Sequence, residues 1–170
     1  MKIKVIRVKD NSLVDATIVD AFKQKLALPS KADDWRFDFK KHAKQKEFKT
    51  FVLVCDETPI LIEGCLIFKM KDKMEPYMSF IEIAPHNKVS ERKYENIAAC
   101  LIAFACRLSF IHGTGDFKGW LAFDVLEENK DDEIKLMAVY SKKYNAKRFG
   151  KTTMLLSPED GENLINTFLK

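Results

Sequence analysis

Glycine is scarce in this 170-residue chain, with six in all. Gly113-Thr114-Gly115 holds two of them but lacks the third glycine and the following helix of a dinucleotide loop. Long apolar runs are missing as well. No stretch of about 18 uncharged apolar residues exists, which excludes a membrane-spanning helix; the apolar run at residues 97–105 has about half that length. The opening residues MKIKVIRVKD interleave charge with apolar side chains and hold no apolar signal core. There is no C-x-x-C. Cys55, Cys65, Cys100 and Cys106 sit inside apolar runs and read as small buried thiols, so a reducing, cytoplasmic setting is expected. The three histidines, His42, His86 and His112, have no carboxylate or cysteine at ligand spacing, and no metal is expected. Ser90 and Ser109 lack a G-x-S-x-G context, which leaves a hydrolase triad without support. Without repeats, low-complexity segments or a linker, residues 1–170 are expected to form a single domain.

What is present is the balance of a globular chain: 46% apolar and 32% charged residues, with a net charge of +4. The excess is uneven. Residues 1–50 hold 13 basic and 7 acidic side chains, and the remainder is mildly acidic. Lys40, Lys41, Lys44 and Lys46 form the densest basic cluster. Nucleic acid would want exposed aromatics interleaved there, and a solvated helix face is the simpler reading.

Residues 1–8 alternate as a strand. Ser12 with Asp15 is a capping-box signal, and Val14, Ile18, Val19, Phe22 and Leu26 have helical spacing, so a helix is predicted up to Leu28. Ser30 is expected to cap a second, highly charged helix over residues 31–46. Residues 51–55 and 60–70, divided by Asp56-Glu57-Thr58-Pro59, predict a hairpin, and residues 77–84 a third antiparallel strand. Residues 94–110 predict a helix that is apolar nearly all round and therefore buried. A strand at 119–125, an amphipathic helix at 132–144 and a strand at 152–156 follow. Ser157-Pro158-Glu159-Asp160 is the best helix start in the chain. A strand–helix–strand unit after a meander implies an α/β, mixed α+β architecture: a central, mostly antiparallel mixed sheet with helices on both faces. Ligands in such sheets gather where strand ends meet a helix N-terminus, which directs attention to residues 84–98.

There the sequence reads Phe80-Ile81-Glu82-Ile83-Ala84-Pro85, then Arg92-Lys93-Tyr94-Glu95-Asn96-Ile97-Ala98. Further on it reads Ala138-Val139-Tyr140-Ser141-Lys142-Lys143-Tyr144-Asn145-Ala146. These segments resemble the GNAT superfamily of acetyl-CoA-dependent N-acetyltransferases. In that family a loop Q/R-x-x-G-x-G/A after a central strand opens a long helix and binds the CoA pyrophosphate. Here Lys93 matches the basic position, Asn96 stands for the first glycine and Ala98 matches the last. Asn is the residue other than glycine that most readily takes a positive φ.

The resemblance implies acetyl-CoA as cosubstrate, its pyrophosphate over residues 92–98 and its pantetheine arm along Ile81, Ile83 and Ala84. It also implies direct attack by a primary amine, Tyr140 as the acid that protonates the departing thiolate, and Glu82 as base with Glu63 as second choice. Read from the residues alone, Glu82 is a strand carboxylate either paired with a neighbouring lysine or solvated, and Tyr140 continues the Leu136–Tyr140–Tyr144 stripe of a core-facing helix. The alternative function is a non-catalytic interaction protein of the same fold that has lost CoA binding. Partners expected are acetyl-CoA and an amine acceptor, without membrane or nucleic acid, for a monomer or homodimer.

Overall fold

The computed structural model describes residues 1–170. Its first elements, β1 (Lys2–Arg7) and β2 (Ser12–Asp20), form an antiparallel hairpin. The helix expected from Ser12 onward is therefore a strand. Val14, Ala16 and Ile18 are buried with a period of two, and exposed Asp15 meets Lys4 across the ladder at 2.7 Å. The β-branched run Val14, Thr17, Ile18, Val19 suits a pleated surface, and this overrides the weaker helical spacing. The Ser12 hydroxyl and amide bond back to Asp10 in the hairpin turn and cap nothing.

The second expected helix is also corrected. The Ser30–Asp33 capping box does form, but it opens only the 3-10 turn Lys31–Asp33, because Asp34 takes a φ of 63° and turns the chain away. Beyond it, α1 (Phe39–His42) is a single turn capped by Asp38.

From there the expected order holds. β3 (Lys49–Cys55), β4 (Gly64–Lys71) and β5 (Glu75–Ile83) are a meander. A two-residue strand, β6 (Tyr94–Glu95), pairs with the outer edge of β1, so the buried helix α2 (Ile97–His112) starts three residues later than its apolar pattern suggests. Then follow β7 (Leu121–Asp124), α3 (Lys130–Tyr144), β8 (Lys147–Arg148), β9 (Thr153–Leu156) and α4 (Pro158–Phe168). The Ser157 hydroxyl caps α4 at the Asp160 amide, 3.1 Å away. The nine strands lie in the order β6-β1-β2-β3-β4-β5-β7-β9-β8, antiparallel throughout except for β5 with β7. The mixed, mostly antiparallel sheet is thus as expected.

Alternation along the strands divides the interior. Leu53, Cys55, Leu66 and Phe68 join a cluster of 30 buried residues with α2, α3 and α4. Val52, Cys65 and Ile67 face the other way, into a cluster of seven with Ala21, Trp35 and Phe39. A bulge interrupts the alternation on β5. The register passes from Ile67↔Phe80 to Phe68↔Met78, so Ser79 is an extra residue, and Met78 and Phe80 go to opposite clusters although they are two apart. Beyond Tyr77↔Ala122, β5 and β7 no longer pair.

Candidate functional site

The parting of β5 and β7 opens a groove through the middle of the sheet, made of three chambers that share walls. The first, of about 460 Å³, lies at the N-terminus of α2. The second, of about 230 Å³, shares Ile83, Lys88 and Ala98 with it. The third, of about 80 Å³, lies between β5 and β7 and shares Ile81, Leu136 and Tyr140 with the second.

The first chamber is an anion site in its backbone geometry. The first hydrogen bond of α2 runs from the Cys100 amide to the Asn96 carbonyl at 2.9 Å, so the amides of Ile97, Ala98 and Ala99 have no partner within the helix. No side chain caps them. Asn96 has a φ of 68°, the left-handed turn that the glycine-for-asparagine exchange requires, and the chamber is open with its side chain in place. Gly64 lets α2 settle this deep, because a Cβ there would stand 2.8 Å from both Ile97 Cγ2 and Leu101 Cδ1.

Of the sequence-predicted residues, Ile83, Arg92, Tyr94, Glu95, Asn96, Ile97 and Ala98 line this chamber, and Ile81 lines the next. Ala84 does not. It is buried in the smaller cluster. Lys93 also lies off the groove: β6 turns it outward, and its ammonium lies over the Tyr94 ring at 5.2 Å from the centroid. The cations that do face the chamber are Arg92, Lys88 and Lys143. Arg92 is paired with Glu95 and Lys88 with Glu82, and Lys143 is in no ion pair. Lys88 and Lys143 come from a loop and from the far end of α3, and no local pattern announces either.

The loop that joins β5 to α2 is held by Glu63, which is fully buried. Its carboxylate accepts from Thr58 Oγ1 at 2.7 Å, His86 Nε2 at 2.6 Å and Asn87 Nδ2 at 2.7 Å. Asn87 Oδ1 in turn accepts from the Tyr94 amide at 3.3 Å. Glu82 has a comparable duty on the opposite side of the groove. It accepts from the amides of Arg36 at 2.8 Å and Phe37 at 3.0 Å, and it pairs with Lys88. Both carboxylates thus have their oxygens occupied by donors.

At the inner end stands Tyr140, half-buried, its ring 4.9 Å from Phe123 and its hydroxyl bonded to no protein atom. Burial, with Glu127 adding to it and Arg36 opposing, raises its pKa above the usual phenol value, so it is protonated at neutral pH. Burial likewise pushes the thiols of Cys55, Cys100 and Cys106 up to about 12, and all four cysteines are free and buried, as the sequence leads one to expect. None of them is an activated nucleophile. No group of three or more His, Cys, Asp or Glu side chains lies together in a way that would hold a metal ion, and no helix is long and apolar enough to cross a membrane.

No family model matches the sequence, and no curated protein matches it either. Solved structures do. A chain of the KacTA–DNA complex superposes with a TM-score of 0.59 at 14% identity, covering 89% of this chain and 99% of that one. The AtaT toxin mutant bound to acetyl-CoA and the C-terminus of the antitoxin AtaR gives 0.54 at 14% identity, covering 88% and 97%. An acetyltransferase-like protein of Exiguobacterium sp. 255-15 gives 0.51 at 13% identity, covering 88% and 97%. The chain has the GNAT N-acetyltransferase fold. Its uncapped α2 amides, flanked by Lys88 and Lys143, suit a phosphate-bearing ligand.

Proposed function

We propose that this protein transfers an acetyl group from acetyl-CoA to a primary amine. The observation that carries this reading is the row of adjoining chambers from the uncapped N-terminus of α2 to the unbonded hydroxyl of Tyr140, beside the point where β5 and β7 cease to pair. A ligand of that length and polarity has its anion at one end and its reacting group at the other.

In this reading Lys88, Lys143 and the amides of Ile97–Ala99 bind the phosphates, while Ile81 and Ile83 flank the pantetheine arm. Acetyl-CoA supplies an activated thioester. Transfer replaces its carbon–sulfur bond with a carbon–nitrogen bond; of the two protons the ammonium sheds, one accounts for the thiol and the other goes to water. Tyr140, kept protonated by burial, gives its proton to the departing sulfur. Glu82 and Glu63, the two bases that the family resemblance puts forward, act by holding the 34–37 loop and the 84–96 loop, since donors occupy the oxygens of both carboxylates. The amine loses its proton through solvent.

The test is thermal unfolding with and without acetyl-CoA, joined to a turnover assay. At ~100 times the dissociation constant a bound ligand adds ~2.7 kcal/mol, a shift of a few degrees at this size. Lys88→Ala together with Lys143→Ala is expected to shrink the shift. Tyr140→Phe is expected to keep it and slow CoA release about 10²-fold or more. No shift at millimolar acetyl-CoA would overturn the proposal and leave the non-catalytic interaction protein.

A further inference from the structure

The third chamber is where an acceptor would meet the thioester, and its charged groups do not have equal freedom. Asp124 is fully engaged: Tyr77 donates to one oxygen, and Thr152 and Thr153 donate to the other at 2.8 Å each. Glu82 is likewise saturated by two amides and Lys88. What remains is one pair, Arg36 and Glu127, joined across the mouth of the chamber from segments 91 residues apart.

Arg36 donates through Nη1 to Glu127 Oε1 at 2.5 Å and through Nη2 to the Leu126 carbonyl at 2.6 Å. Its Nε–H bonds nothing, and neither does Glu127 Oε2. The two side chains are 44% and 21% exposed, so water screens the pair and it is held weakly. Both bear on the chemistry, because Glu127 raises and Arg36 lowers the pKa of Tyr140.

A molecule that binds in the chamber meets both charges, and the best-matched one brings a partner for each. A diamine would satisfy Glu127 and leave Arg36 facing a second cation. A plain monoamine would leave Arg36 unpaired. A small molecule with an ammonium and a carboxylate a bond or two apart satisfies both: its ammonium takes Glu127, and its carboxylate takes the planar fork of Arg36, including the free Nε–H. We propose that the acceptor is a small zwitterionic amino carboxylate, recognised by Glu127 at the amine and by Arg36 at the carboxylate. This rests on the acetyl-transfer reading for its chemistry, though the binding itself does not need acetyl-CoA.

The experiment titrates the ¹⁵N-labelled protein with glycine, β-alanine, glycine methyl ester, ethylamine and spermidine, following the Arg36 Nε–H resonance. A second arm measures CoA release with the same five amines. The expected result is a saturable shift of that resonance with glycine or β-alanine and with none of the other three. CoA release should favour the amino carboxylates by at least about tenfold, the least that one lost charge-assisted hydrogen bond implies. Arg36→Gln should remove the shift and abolish the preference for glycine over its methyl ester. Glu127→Gln should slow both compounds. Because the Arg36 side chain is at the surface, circular dichroism and the melting temperature of Arg36→Gln should stay near those of the parent and report any misfolding. Equal use of ester and free acid, preference for spermidine, or no shift with any amino carboxylate would overturn the assignment. A melting shift with acetyl-CoA alongside that failure would leave the transferase reading standing. Amino-carboxylate binding without an acetyl-CoA shift would sustain the recognition site and remove the transferase.

Discussion

The two faces of the sheet are built on different principles. On one, 30 buried residues from three helices and the strands interlock, and nearly every side chain is apolar. On the other, seven buried residues lie under a segment that is mostly irregular, and polar bonds do much of the holding. The Arg36 and Phe37 amides hang on one carboxylate, Glu82. The first face is redundant and stiff; the second depends on a few specific contacts and meets the chamber where an acceptor would sit. A scaffold face thus carries the stability, and a lightly anchored face is free to differ between proteins that share the fold.

Five substitutions or titrations probe this contrast, from large effect to small. Leu101→Ala, at a fully buried position on α2, is expected to cost about 2–5 kcal/mol in urea unfolding. If it costs less than Trp35→Ala on the opposite face, the contrast is wrong. Glu82→Gln is expected to cost about 1–3 kcal/mol, and the loss should appear first as faster hydrogen exchange at Arg36 and Phe37, before global unfolding. Loss of protection spread evenly over α2 would show that the two faces are one unit. Ser157→Ala removes the cap of α4, a helix packed on α2, and should cost about 1 kcal/mol, read as a lower melting temperature.

The smallest effects are in pH. His112, at the end of α2, has a pKa lowered by burial and by Lys49. The unfolded chain then binds its proton more readily, so stability should fall as pH drops through about 6.5, and His112→Gln should flatten that limb. Asp124 on the other face behaves differently. Burial pushes its carboxyl up, but the bonds from Tyr77, Thr152 and Thr153 together outweigh this and hold it below its ordinary value. Its contribution is present above about 4 and is lost only as pH falls further, so Asp124→Asn should lower stability near neutral pH and flatten the acid limb.

How much was legible in the sequence follows the same division. The meander, the buried α2, β7, α3, β9 and the Ser157 cap are all local patterns of apolar period and turn chemistry, and the structure has each near its expected place. The positive φ of Asn96 and the left-handed C-cap at Asn145, with φ 59°, were also readable, since asparagine is the natural substitute for glycine at such points. Residues 12–46 depart from what their local pattern predicts. Val14, Ile18, Val19 and Phe22 fit a helical period, and only their pairing with β1 and β3 shows that Val14, Ala16 and Ile18 are the inward set. The segment after Ser30 owes its shape to Trp35 packing in the smaller cluster and to Glu82, 46 residues beyond Arg36, and no local signal encodes that distance. Lys88 and Lys143 likewise reach the chamber through tertiary packing that no local pattern encodes, while Lys93 matches the motif in position but not in direction.

The sheet also ends in an unusual way. Its two outermost strands, β6 and β8, have two residues each. The part of β1 that β6 leaves uncovered carries Lys2 and Lys4, both exposed. Nine strands of continuous ladder would otherwise present another chain with a long template for growth. Here the template is cut to stubs at both edges, and beside β6 it also carries two lysines, so addition of further strands gains few hydrogen bonds. Concentrated protein, or protein caught partly folded, is thereby steered away from fibrillar assembly, a safeguard independent of whatever the groove binds.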